Sequence, residues 1–537
     1  MDLPACTGTL LDATLPTEDH ATNVIDKDTV MTFRLVTGGS AAVFCSIFAQ
    51  AALAEISPRD VWAYWQEYMT ASGYEISASE QMSGDTLTIS DITLTMPAPE
   101  DQGTMTVLIP SIALTGNSEG TVSAAFPSPM PMQVTIDATD AEDGSGEVVI
   151  THSGSSMLIS GEPSNLTYTH ASDETTVTLT NLTVEGEPVP PETLRFALVL
   201  TGTSGTSQMT RTGMRSFDEL FRAESLSYDF AFDDPDSDDQ GQFSGELRGL
   251  NLTANGAMPL EMDANNMAAA LEAGFNVAGT FAYDAGKSSM AGTGDGESFS
   301  ASSASQGGTV SVAFDASQLA YDLTGNQTEI EITSQQLPFP ISLDMAETAL
   351  KLAMPVARSE EPQDFAFGLT LRDFVMSDMI WGMFDPAGTL PRDPATVSMD
   401  LTGKAKLDVD IMDPAATAAL DGTQPPGELH AVTINDLLVS MIGAKLTGTG
   451  AFTFDNADMQ TFPGMPRPEG FVELALTGAN SVLDKLIQMG FVSDNDAMGA
   501  RMMMGMFAVP GEGEDSLKSR IEINEQGQVL ANGQRIR

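Results

Sequence analysis

The sequence predicts a mainly β protein with a few short helices, built as an elongated, curved antiparallel sheet. Three observations predict it. Only 18% of the 537 residues are charged while 42% are hydrophobic, so Thr, Ser, Asn and Gly must finish the surface, a mix that suits exposed strands. After Gly73 the apolar residues recur with a period of two. One arrangement of them, two alternating pairs parted by one extra residue, returns at five places and reads as an internal repeat.

Charge removes two functional classes at the outset. With 75 Asp and Glu against 23 Lys and Arg, the formal charge is −52, which repels phosphate backbones and anionic head groups. A nucleic-acid binder and a polybasic membrane-surface protein are thereby excluded.

The first element is a leader. Met31 to Ala54 has a positive start at Arg34, an apolar stretch from Ala41 to Ala52, and a small-x-small cleavage site at Ala52-Leu53-Ala54. The expectation is export to the periplasm with cleavage after Ala54, residues 1–30 representing a start assigned too early. The apolar stretch is roughly a dozen residues, below the ~20 needed to cross a bilayer, so no transmembrane helix is expected in the mature chain. Phe44 before Cys45 argues against a lipid anchor. Cleavage would remove Cys6 and Cys45 together and leave no cysteine for disulfides. The chain then divides into this leader (1–54), an N-terminal β-rich region (55–340) and a C-terminal β-rich region with covering helices (341–537).

A helix opens the mature chain. Ser57 is its cap, Pro58 lies in the first turn and Asp60 completes a capping box. Val61, Trp62, Trp65, Tyr68 and Met69 share one face, and Gly73 ends the run. So apolar a face must cover part of a sheet.

The repeated strand pattern follows. It runs Leu87, Ile89, Ser90-Asp91, Ile92, Leu94, and again Val107, Ile109, Pro110-Ser111, Ile112, Leu114. It returns at Val177 to Val184 around Thr180-Asn181, at Leu369 to Met376 around Arg372-Asp373, and at Val432 to Val439 around Asn435-Asp436. Because side chains alternate, one inserted residue is expected to swap the apolar face, at a bulge, a corner or a strand-to-strand step.

Turn clusters rich in Gly, Asp and Ser lie at Ala141 to Glu147, Gly202 to Ser207, Asp233 to Gly241 and Thr293 to Glu297. Ala285 to Gly308 reads equally as exposed strands or a flexible loop. Short helices are expected at Ser216 to Ala223, with Glu219 completing a capping box, and at Asp263 to Ala273. Two more follow: an apolar stripe at Val482 to Met489, and Met498, Met502, Met503, Met506 and Phe507 packed by their helical spacing. Ile521, Ile523 and Val529 form a closing hairpin around Glu525-Gln526-Gly527.

Several segments, taken in order, resemble the uncharacterised bacterial family DUF2125. They are Leu369 to Asp373, Trp381, Phe384-Asp385-Pro386, Leu390 to Pro394, Met399 to Gly403, Gly443 to Asn456, and the tail from Leu474 to Gly533, together with the Trp62/Trp65 helix. The resemblance spans most of the mature chain and is densest from residue 361 onward. That family is similar to the AsmA-like group of envelope proteins, which implies a long curved sheet with an apolar concave face and, for some members, a link to lipid movement. The inner-membrane helix of the bridge-forming relatives is missing here.

Catalytic motifs are not found. His152, His170 and His430 read as exposed strand or turn residues, and no G-x-S-x-G elbow occurs. Gly286-Lys287-Ser288 lacks the first glycine of a phosphate loop, since Phe281 stands there. Asp234, Asp236 and Asp238 alternate as calcium ligands do, but Asp239 and Gly245 occupy positions where an EF-hand needs Gly and Glu. They are at most weak metal candidates, and no cofactor is expected. Met502 to Met506 offer soft thioethers for Cu(I), with packing the favoured reading. The expected function is therefore a non-enzymatic periplasmic envelope protein that binds lipid, another hydrophobic ligand or an envelope protein strand in a β-groove. The alternative is a secreted acidic adhesion or calcium-binding module. Oligomeric state is not legible.

Overall fold

The computed structural model describes residues 56–537 except 98–102, 140–141, 236, 261, 263–265, 295, 419 and 421–424. The leader and its cleavage site, and Asp236, lie outside the described residues. The strands join in one antiparallel sheet that follows the chain as a meander. Strand Glu75–Ser83 forms one edge, followed by Thr86–Pro97 and Gly103–Gly116. Two short strands end to end fill each of the next two places, Val122–Ala125 with Met130–Ala138, then Gly144–Ser153 with Ser156–Glu162. Long strands continue with Asn165–Val184, Leu194–Arg211, Met214–Asp233 and Gln240–Pro259.

Asn276–Tyr283 with Ala285–Gly294, and Glu297–Ser305 with Gly308–Phe314, again share places. Then come Gln318–Ser334, Ile341–Pro355, Gln363–Met376, Ala395–Leu407, Gly427–Met441, Ala444–Asp455, Arg467–Thr477 and Ser516–Ile523. Val529–Ala531 follows through the expected hairpin, and Gln534–Arg535 pairs with it at the end of the sheet. The division drawn at residue 340 falls in the turn between two strands paired from Gln318↔Pro355 to Ile332↔Ile341.

The five phase slips all lie inside strands, and they do not swap the apolar face. Leu87 and Ile89 before Asp91, and Ile92 and Leu94 after it, are buried in a single core. The reason is local. Asp91, Asn181 and Asp373 take φ values of 51°, 52° and 50°, in the left-handed region that Asp and Asn tolerate best. One such residue breaks the alternation once, so the shifted sequence restarts on the original side. Pro110, which has no N–H to offer, sits where Ser90↔Ser111 gives way to Ile92↔Ile109. At Asn435-Asp436 the register slips against both neighbours.

Two expected elements are corrected. Ser216 to Ala223 is not a helix but part of strand Met214–Asp233, because neighbours on both sides pair with it throughout and override its capping pattern. Gly202 to Ser207 is not a turn but the middle of Leu194–Arg211, with Gly202 at φ 56° supplying the break. Ala285 to Gly308 resolves into strands. Of the helix expected over Asp263 to Ala273, residues 263–265 lie outside the described residues and Met267–Glu272 is helical, capped by Asn266.

Candidate functional site

The helix Pro58–Ala71 has the capping box that the sequence predicts: Ser57 N donates to Asp60 Oδ2 at 3.0 Å, and Asp60 N to Ser57 Oγ at 3.3 Å. It lays Val61, Trp62, Tyr64 and Trp65 on the first strands and encloses the main core with Leu87, Leu114, Ile159 and Leu166. Trp65 Nε1 donates to the Tyr168 hydroxyl at 3.2 Å and Trp62 Nε1 to Glu80 Oε1 at 2.8 Å. Arg211 and Arg215 pair with Glu67 and hold the helix to the strands further along. Burial pushes the Tyr64 hydroxyl up to about 12. Tyr64 was not in the face read from the sequence.

What the helix covers is only the start of a much longer apolar surface. Directly paired residues lie on the same face of a sheet, and one row of pairs can be followed across almost the whole of it. It begins Leu87, Leu114, Ala124, Met157, His170, Gly205, Phe221. It continues Leu252, Phe281, Val310, Leu323, Leu350, Leu369. It ends Met399, Leu437, Gly448, Leu474.

A second row on that face carries Val312, Tyr321, Leu352, Phe367, Leu401 and Ile434. Beyond the breaks, a third runs Phe196, Phe230, Phe243, Met290, Ala301, Ile332, Ile341. Under the helix the first row is buried. Further along, Val310, Tyr321, Leu350, Phe196, Phe230, Phe243 and Met290 are each more than one third exposed. The opposite face is polar. A depression of about 710 Å³ lies there, lined by Ser244, Glu246, Lys287, Ser289, Ser302 and Glu331. Hydrogen bonds from Arg248 and Lys287 hold the Glu246 carboxyl down to about 2.

The histidines are separated. His152 Nε2 lies 3.2 Å from the Phe126 carbonyl and His430 Nε2 lies 3.2 Å from Glu428 Oε2. His170, expected to be exposed, is instead 3% exposed, stacked at 6.0 Å on Phe221 within the apolar row. Burial lowers its pKa to about 4. A polar residue in the place of an apolar one hid its alternation from a reading of the sequence.

Asp234 is buried and accepts a hydrogen bond from Ser237 Oγ at 2.7 Å, inside the turn from Asp233 to Gln240. Asp238 lies in the same turn. Among the described residues no three His, Cys, Asp or Glu side chains are grouped to hold a metal ion. No helix among them is long and apolar enough to cross a membrane.

The late helices stand where they were expected, as Ala479–Gln488 and Asp494–Phe507, but the methionines do not pack. Only Ala497 of the second helix is buried, and Met498, Met502, Met503 and Met506 are more than half exposed. Arg501 turns them outward: it reaches back to Asp484 Oδ1 at 2.6 Å and Asn480 Oδ1 at 3.2 Å, which fixes the opposite side of the helix against its neighbour.

A meandering antiparallel sheet with one apolar face defines a mainly β architecture with a few short helices. Residues 280–534 match the family model DUF2125, an uncharacterized protein conserved in bacteria, which supports the resemblance to that family. The match starts earlier than residue 361 and leaves out the Trp62/Trp65 helix. No curated protein and no solved structure matches the chain.

Proposed function

We propose that this protein is a non-enzymatic component of the bacterial cell envelope whose open apolar sheet face holds the acyl chains of a lipid. One observation carries the reading: the apolar row from Leu87 to Leu474 is covered by the Trp62/Trp65 helix only at its beginning. Apolar surface left in water costs about 25 cal/mol per Å2, so a chain of methylenes laid along such a row is held without any charged or catalytic group. The AsmA-like resemblance of the sequence points in the same direction, and the signal-like segment Met31 to Ala54 supports a periplasmic site of action.

The test is lipid extraction from the purified chain followed by mass spectrometry, beside a Phe230→Asp/Phe243→Asp variant. Phospholipid at near-stoichiometric amount in the wild type, falling at least fivefold in the variant, is the expected result. Wild-type protein without lipid after incubation with envelope vesicles, or equal lipid in the two proteins, overturns the proposal.

A further inference from the structure

The outward face of helix Asp494–Phe507 is made of sulfur. Its large side chains are Met498, Met502, Met503, Met506 and Phe507, with no Leu, Ile or Val in the helix. An apolar docking face needs no thioethers, since Leu has the same helix propensity. What methionine adds is a soft, neutral donor on a stem with three rotatable bonds.

The helix brings three of them together. Met506 follows Met502 by four residues and Met503 by three, so its Cβ lies about 5–6 Å from each of theirs. Helical side chains lean toward the N-terminus, so Met502 and Met503 extend toward the turn that holds Gly499. A Cβ at Gly499 would meet nothing within 4 Å, so neither side chain is folded down onto it. All three methionines are more than half exposed. The formal charge of −52 favours a cation over an anion in this open position.

We propose that Met502, Met503 and Met506 bind one Cu(I) ion through their thioether sulfurs. This site is independent of the lipid-binding reading, because it lies on a helix and takes nothing from the sheet face.

Competition with a colorimetric Cu(I) chelator under anaerobic conditions tests it. The full chain is used with Cys6→Ser and Cys45→Ser, so that thiolates do not contribute. One equivalent of Cu(I) is expected, with sulfur and no nitrogen in its X-ray absorption spectrum, and affinity at least tenfold weaker in Met502→Leu/Met503→Leu/Met506→Leu. A second measurement does not depend on how the variant folds: bound Ag(I) should protect these three methionines of the unsubstituted helix from peroxide, read by peptide mass spectrometry. Absence of competition, undiminished affinity in a folded triple variant, or oxidation unaffected by Ag(I) overturns the site.

Discussion

Phe232 lies directly across the ladder from Gly241, and its ring covers the glycine so closely that a Cβ placed there would stand 2.3 Å from Phe232 Cε1. The arrangement recurs at Tyr228 and Gly245, at Phe217 and Gly256, and at Phe365 and Gly403. A glycine weakens a strand because it has nothing to pack, and a facing aromatic ring restores the contact. Gly241→Ala should therefore destabilise by about 1–3 kcal/mol, since ring or backbone must shift. In a Phe232→Ala background the same substitution should cost much less, and urea unfolding of the four proteins measures the coupling.

The Trp62/Trp65 helix is held by its buried aromatic face more than by its ends. Trp65→Ala should cost about 3–5 kcal/mol, the range for emptying a large aromatic site. Trp65→Phe should cost about 1–2 kcal/mol, because it leaves the Tyr168 hydroxyl buried without its donor. Ser57→Ala should cost about 1 kcal/mol through loss of the cap. Equal losses for all three in denaturant unfolding would contradict this order.

His170 sets a pH dependence whose sign can be worked out. Its folded pKa is lowered from 6.5 to about 4 by burial, so between those values the unfolded chain binds more protons than the folded one. Stability is complete above about pH 6.5 and is lost as pH falls toward 4. Between pH 7.5 and pH 5 the wild type should lose about 2 kcal/mol more than His170→Phe. Unfolding curves at the two pH values check it, and parallel losses in the two proteins would show that other groups dominate.

Asp373 is placed at φ 50° by the break in its strand. Asp373→Gly should change stability by less than about 0.5 kcal/mol, whereas Asp373→Val should cost about 1–3 kcal/mol, because a β-branched side chain is strained there. A well-tolerated valine would mean that the strand relaxes its break.

Much of the fold was legible because strand alternation and helix capping are local. Ser57, Pro58 and Asp60 mark the first helix with no knowledge of its neighbours, and the Leu87/Ile89 and Ile92/Leu94 pairs mark a strand and its interruption. Ser216 to Glu219 shows the limit of such signals: the same capping pattern lies in a strand because two neighbouring strands pair with it. The candidate site was less legible still. Gly205, Gly448 and His170 belong to the apolar row but look polar or neutral in sequence, and only the register between successive strands places Phe221 beside Leu252 and Leu252 beside Phe281.

By itself the sequence determined that alternating strands, broken at Asp91, Asn181 and Asp373, form the bulk of the chain, because side-chain period and left-handed preference act within a few residues. Only the tertiary structure decided that the breaks preserve one apolar face and that a helix covers only its beginning. It also decided that Met502, Met503 and Met506 face outward. Those outcomes depend on which strand lies beside which, and on where Arg501 finds its partners, relations set by contacts across the sheet and not by neighbours along the chain.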